Sequence, residues 1–354
     1  NKLLPGKDVE EQLLREFNMI HYDYEEPKAI ELTISNPIDR IANIAHSCYQ
    51  VAPKEHEANV SFVKTLCSVY HMAMLDHGFM HFKFKKEEFI NNLDDHQKLE
   101  MIPWDYAKFF NFATDDNFVY LTLSLRSITN AIDGIYKGNK SDSINHINKD
   151  EGSSFKKLIC TIISNLDGES KSIVLTHFKP EDNIDEFIDN NKTDVSVITV
   201  EENEIDSLDE SIRDSQKILV YRLTTDRGVT HELVRHRLCS FAQESTRYCN
   251  YSKQKFGDKI HIIKPIDYVD HQAMYDIAFN NAAEAYFELL HEGAKPEQAR
   301  AVLPTNLKAE ITITANLAEW KHIFFQRLAL DAHPEARRVV KFVYEDMKSK
   351  GYIE

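Results

Sequence analysis

The residues best equipped for chemistry lie in one stretch, RHRLCSFAQESTRY, from Arg235 to Tyr248. Arg235, His236 and Arg237 are followed after seven residues by Ser245, with Arg247 close behind. Like charges this near one another repel, and each needs water or an anion. A ligand carrying phosphate or an anionic ring is the simplest reason to gather them in a chain whose formal net charge is −15. The preceding VTHELVRHR reads as a helix opening after Arg227 and Gly228. Successive helical residues point about 100° apart. The three cations of RHR then face different ways and would serve two ligands, or two sites shared across a subunit boundary. A solvated basic helix end is the plainer alternative, since cations are favoured at a helix C-terminus.

Two other patterns invite chemistry and fail on spacing. HELVRH looks like a zinc-protease motif, but His231 and His236 are five residues apart. That sets them about 140° apart on a helix, too divergent for one metal. Cys239 and Cys249 could suggest a thiol nucleophile, yet neither has a supporting base nearby in sequence. The five cysteines form no CxxC pair, so no zinc ribbon or dithiol redox site is expected. No G-x-G dinucleotide turn and no phosphate-binding P-loop occurs.

RHR, seven residues and then Ser resembles the signature of the flavin-dependent thymidylate synthases. The flanks DRGVTHELVRHR and STRYCNYS extend the likeness. PEQARAVLPTNL and ANLAEWKHIFFQRLALDAHPEAR are similar to that family's C-terminal half, and NPIDRIANIAHSCY and DHGFMHFKF more weakly to its N-terminal half. The likeness is patchy over 30–130 and good over 217–345.

This resemblance implies an α+β fold, a mixed sheet with packed helices, assembled as a homotetramer with sites shared between chains. It implies FAD as cofactor, dUMP as substrate, and methylenetetrahydrofolate and NADPH as co-substrates. Arg327 aligns with the arginine that polarises the pyrimidine, a form of electrostatic catalysis; a salt bridge to Asp331 or Glu335 is its structural alternative. The phosphate falls to Ser245, Arg247 and Arg300, with Arg235 and the backbone around Gln243 and Glu244. Arginine forks suit phosphate oxygens, and Ser245 reads as a binding hydroxyl rather than a nucleophile. Flavin contacts map to Arg235, His236, Arg237, Gln243, Asn316, His322 and Cys48; for His322 and Cys48 a packed core residue is the competing reading. The chain departs from the pattern in three places. Ala242 replaces the usual Asn, Glu232 stands near the pyrimidine where Gln is common, and HGFMH is shortened so that His77 and His81 cannot both be mapped. Two other functions stay open: a non-catalytic nucleotide-binding homologue, and a folate- and flavin-dependent RNA uracil methyltransferase. The acidic charge argues against RNA, whose binding rests on cations.

The elements that must carry these residues can be read from periodicity. With 354 residues and 42% hydrophobic content the chain can bury a sizeable core. The charged N-terminus, NKLLPGKDVEEQLLREF, has no signal-peptide core and no Met, as in a processed or trimmed chain. Sparse cysteines suit a reducing cytoplasm, and no run of apolar residues is long enough for a membrane span. The chain divides into an extension, 1–28, with a helix near 8–17; an N-terminal half, 29–135; an insertion, 136–215; and a C-terminal half, 216–354. Helices are expected at 39–49 and 61–75, strands at 81–85 and from 117. In the insertion, GNKSDSINHINKDEG reads as a polar loop and SSFKKLICTIISNL as a helix. KSIVLTHF and TDVSVITV read as strands, and EENEIDSLDESIRDS as solvated. The insertion carries no catalytic constellation and is expected to be removable. KILVYRLTT is a strand leading into the motif, residues 268–292 a helix stopped by Gly293, and AEITITAN a strand ending at Asn316. Asn316 caps a helix to about Leu330, which puts Arg327 on nearly the same face, and Pro334 opens the last helix.

Overall fold

The computed structural model describes residues 21–52, 54–93, 110–137 and 151–354. The expected helix at 8–17 and most of the polar loop lie outside them. The strands among the described residues are β1 (Tyr22–Glu25), β2 (Lys28–Glu31), β3 (Phe79–Lys85), β4 (Phe110–Thr114), β5 (Phe118–Ser124), β6 (Ile198–Thr199), β7 (Ile218–Asp226), β8 (Ser240–Gln243), β9 (Ile260–Ile263) and β10 (Lys308–Asn316). The helices that matter here are α1 (Pro37–Cys48), α2 (His56–Ser68), α3 (Leu125–Lys137), α4 (Glu151–Ser164), α5 (Gly168–Val174), α6 (Ile184–Asn191), α7 (Arg227–Leu233), α8 (Tyr268–His291), α9 (Pro296–Ala299), α10 (Leu317–Arg327) and α11 (Pro334–Ser349). The class is α+β. Among the described residues the strands do not form one mixed sheet: β2-β7-β10-β8 and β4-β5-β3-β6 are both antiparallel, and only the β1–β9 pair is parallel.

The motif half is built on the β7–β10 ladder. Alternation sends Leu219, Tyr221 and Leu223 of β7, with Ile311, Ile313 and Ala315 of β10, into one core with Val229 of α7, Trp320 of α10 and Val340 of α11. Trp320 is fully buried, and its indole N–H donates to the Leu219 carbonyl at 3.2 Å. The opposite face, Ile218 and Val220 with Ala242 of β8, packs on Ile44 and Cys48 of α1. Gly78 lies so close to α1 that a Cβ there would sit 2.4 Å from the Ile41 side chain. This explains the glycine of HGFMH by packing.

The N-terminal half and the insertion share one core. Ile41 of α1, Leu121 of β5 and Ile128 of α3 pack with Ile159 and Ile163 of α4, Ile173 of α5 and Ile188 of α6. Deleting 136–215 would strip these side chains from that core, so the expected removability does not follow. KSIVLTHF is not a strand. Asp167 accepts from the Glu169 and Ser170 amides and caps α5, which then buries Ile173 and Val174 together. TDVSVITV keeps only the two residues of β6, and EENEIDSLDESIRDS forms two short helices that bury Ile205 and Ile212. No helix among the described residues is long and apolar enough to cross a membrane.

His56 ties three helices together. Its Nδ1 lies 3.0 Å from both oxygens of Asp39 on α1, and its Nε2 lies 2.8 Å from Glu169 on α5. Hydrogen bonds to these two carboxylates raise the imidazole pKa to about 9. A pKa raised on folding gives stability that is complete below the unfolded value and lost as pH rises through the folded one. The melting temperature of the wild type should therefore exceed that of His56→Gln at neutral pH. The gap should close as the pH passes about 9; a constant gap across that range would remove the clip.

Candidate functional site

The site is organised by α7. Asp226, at the end of β7, accepts from the Val229 amide at 2.7 Å and starts the helix. Its seven residues span about 10 Å. At one end Arg227 donates through Nη1 to the Glu244 carbonyl, 3.4 Å away. Gln243 donates to the Thr230 hydroxyl at 3.0 Å. At the other end Glu232 receives Arg327. Two clusters of candidate residues thus sit at the two ends of one short strut.

RHR is not on this helix. The helix stops at Leu233, and tight bonds from the Arg235 amide to the Glu232 carbonyl and from the His236 amide to the Leu233 carbonyl wind the chain into turns. The chain must reverse there to enter β8. The divergence of the three side chains survives in another geometry. His236 turns inward and is 5% exposed, while Arg235 and Arg237 are exposed. Among the described residues, no side-chain hydrogen bond or ion pair holds either arginine. His231 is exposed while His236 is buried, so the two histidines of HELVRH point apart.

The first cluster centres on Arg327, the last residue of α10. Its Nη1 donates to Glu232 Oε2 at 2.9 Å, its Nη2 to the Glu232 carbonyl at 2.8 Å, and its Nε to His236 Nε2 at 3.1 Å. Its carboxylate partner is Glu232, neither Asp331 nor Glu335; Glu335 instead accepts from the Ile266 amide. The His322 ring lies edge-on to His236 with centroids 6.0 Å apart, and its Nε2 meets Gln326. Asn316 caps α10 by accepting from Glu319 N at 2.8 Å, and its amide donates to the Ser215 carbonyl at 3.3 Å. Its side chain is therefore already committed to structure. The helix ends at Arg327, short of Leu330.

The second cluster follows β8. The Ser245 amide donates to the Cys48 carbonyl at 3.1 Å, which brings α1 to the motif through its backbone. The Ser245 hydroxyl accepts from the Arg247 amide at 3.3 Å. Arg300, just past α9, donates to the Thr246 hydroxyl at 3.4 Å. Arg247 lies 4.0 Å from Glu297, an exposed pair. The Cys48 thiol sits in the apolar cluster with Ala242 and Phe79, donates to the Ile44 carbonyl, and is pushed up to about 11 by burial. Burial likewise pushes Cys249 to about 12. Neither thiol is prepared as a nucleophile. His77 and His81 are buried, each with Nδ1 at 2.7 Å from a threonine hydroxyl, Thr314 and Thr122. Burial drives His81 down to about 3.

Glu244 goes inward, where the sequence offered no warning. Its buried carboxylate accepts from Tyr251 at 3.2 Å and from Lys308 at 3.1 Å. Lys308 also reaches Glu310 at 3.6 Å, and Gln50 donates to Glu310 at 3.2 Å. Burial works against the Lys308 ammonium, but Glu244 and Glu310 outweigh it and raise its pKa. Glu244, Tyr251, Lys308 and Gln50 border a cavity of about 240 Å³ that also touches Lys255, Phe256 and His261. The one legible signal was Lys308 and Glu310 two apart on a strand, hence on one face. Lys308→Met should cost roughly 3–5 kcal/mol in urea unfolding, because it strands a buried carboxylate. Adding Glu244→Gln should recover part of that loss; a Lys308→Met protein as stable as wild type would contradict the pairing.

Residues 209–350 match the family model described as thymidylate synthase complementing protein. The flavin-dependent thymidylate synthase of Pyrococcus furiosus is 34% identical over 130 residues, which cover 36% of this chain and 52% of that protein. That of Sulfurisphaera tokodaii is 32% identical over 122 residues, 34% of this chain and 46% of that protein. That of Geobacter sulfurreducens is 32% identical over 114 residues, 31% and 47%. The chain spans about half the length of the curated relatives it matches. The matched part holds α7, the RHR turn, both arginine clusters and α10, and over it the chain is similar to the thymidylate synthase complementing protein family.

Proposed function

We propose that the protein is a flavin-dependent thymidylate synthase. It moves the one-carbon unit of methylenetetrahydrofolate to carbon 5 of dUMP and reduces it to methyl with electrons from NADPH, giving dTMP and tetrahydrofolate. The observation that carries this reading is the RHR turn: two exposed arginines, without a side-chain partner among the described residues, on either side of an inward histidine that touches Arg327. A multiply anionic cofactor fits the two free guanidinium groups. When bound, FAD supplies the two-electron chemistry that links NADPH to the transferred carbon.

The chain's own residues divide the remaining work. Arg327 presents a guanidinium, fixed by Glu232 and His236, to the pyrimidine, where it stabilises charge that develops as carbon 5 becomes nucleophilic. Arg247, Arg300, Ser245 and Arg235 hold the phosphate, with the backbone at Gln243; the Glu244 amide is already given to the Glu310 carbonyl at 2.8 Å. The exposed Arg247–Glu297 pair contributes little to stability, so a phosphate displaces it at small cost. His322 adds a polar edge beside the turn. The protein assembles as a homotetramer with sites shared between chains. Phe325 and Leu330, 81% and 94% exposed on either side of Arg327, support a subunit contact there.

Cys48 and Asn316 favour a second reading, a nucleotide-binding homologue without flavin. Their side chains are committed to the fold, and Ala242 packs beside Cys48 in an apolar cluster where a polar side chain is usual. The purified full chain decides. FAD should copurify or be taken up, dTMP should form from free dUMP and not in RNA, and sedimentation should give four chains. A folded protein that shows no flavin by spectrum or calorimetry excludes the enzyme.

Arg327→Ala should keep FAD and lose roughly a hundredfold or more in turnover, with a smaller effect on dUMP binding. Arg327→Lys should recover little, because a point charge does not reproduce the fork. Arg247→Ala and Arg300→Ala should each weaken dUMP binding by about 1.5–3 kcal/mol with flavin content unchanged; normal affinity in both would place the phosphate elsewhere.

A further inference from the structure

Arginine can only donate hydrogen bonds. Since the Nε–H of Arg327 points at His236 Nε2 from 3.1 Å, that ring nitrogen must accept and carry no proton. The ring proton of a neutral His236 then sits on Nδ1. Facing Nδ1 at 3.7 Å is Oε1 of Glu319, a carboxylate whose side chain is only 10% exposed. The Cys239 thiol also points at that oxygen, at 3.9 Å. Glu319 stands in the first turn of α10, capped at its own amide by Asn316, where a negative charge is favoured. The carboxylate thus attracts an N–H to the Nδ1 side of the ring and leaves the Nε2 lone pair for the guanidinium.

We propose that Glu319 is a positioning residue. It fixes the tautomer of His236, and His236 in turn fixes the plane of Arg327. The central histidine of RHR therefore acts inward, as the middle member of a carboxylate–imidazole–guanidinium series running from the start of α10 back to its end. Two contacts to Glu232 hold one side of the Arg327 fork, and the imidazole holds the other at Nε. With the wrong tautomer, an N–H at Nε2 would oppose the N–H of Arg327, and the fork would lose its third anchor. The catalytic consequence rests on the reading that Arg327 meets the pyrimidine. The tautomer does not rest on it.

The test is nitrogen NMR on the full chain with labelled histidine, at about pH 8, where imidazole is ordinarily neutral. His236→Asn identifies the signal by its loss. The expected result is a proton on Nδ1 and none on Nε2. A proton on Nε2, alone or with Nδ1, overturns the proposal. The kinetic arm compares Glu319→Gln, whose amide oxygen still presents an acceptor toward Nδ1–H, with Glu319→Leu, which presents none. Glu319→Leu should lose roughly a hundredfold in turnover, the scale for a misplaced group, with little change in KM for dUMP. Glu319→Gln should retain most of the turnover and keep the Nδ1 tautomer. Equal turnover in Glu319→Leu and wild type overturns the positioning role. If the wild type makes no dTMP, the proposed function fails, and the NMR result alone decides the tautomer.

Discussion

The site depends on one constraint, the nine-residue antiparallel register of β7 and β10. Each strand runs directly into a helix, β7 into α7 through Asp226 and β10 into α10 through Asn316. Antiparallel pairing puts the two caps at opposite ends of the ladder, Lys308 beside Asp226 and Asn316 beside Ile218. Both helices lie on the same face, so they approach each other and meet end to end. Their combined length is about 27 Å, close to the roughly 30 Å of the ladder. The meeting point joins two helix C-termini, where carbonyls gather and negative potential concentrates. A cation belongs there, and Arg327, donating to the Glu232 carbonyl, is that cation.

Sequence was most informative where one local rule decides an outcome. Asn316 before an apolar-periodic run names a helix start, and Gly293, at φ +95°, names a helix end. The alternation of AEITITAN gives β10 and its two faces. Local reading failed where tertiary contacts choose. KSIVLTHF has strand-like residues, but the Asp167 cap and a shared core make it helical. Nothing within VRHRLCS says that the helix must break at Leu233. The break follows from the need to enter β8 antiparallel to β10.

The candidate site was legible as a set of residues and illegible as a set of bonds. The arginines could be singled out by type and spacing, whereas their partners are far away in sequence. Glu232 meets Arg327 across 95 positions, and Glu244 meets Lys308 across 64. Cys48 and Ser245 come together only through a backbone bond, so no side-chain pattern could show it. Glu319, at the third position of a capped helix, looks like ordinary dipole compensation until the fold sets His236 against it.

The separation of the core that takes in the insertion from the core on the β7–β10 ladder has a consequence for synthesis. The core that takes in the insertion is closed by Val195 and by β6 at Ile198–Thr199. It can assemble on the ribosome long before β10 at Lys308–Asn316 has been made. β7, by contrast, emerges with both edges open and keeps one of them unpaired until more than eighty further residues have followed. Unpaired strand edges recruit other chains. Nascent chains are therefore most prone to aggregate in that interval, and truncation after α8 would leave a folded first half attached to a β7 without its partner.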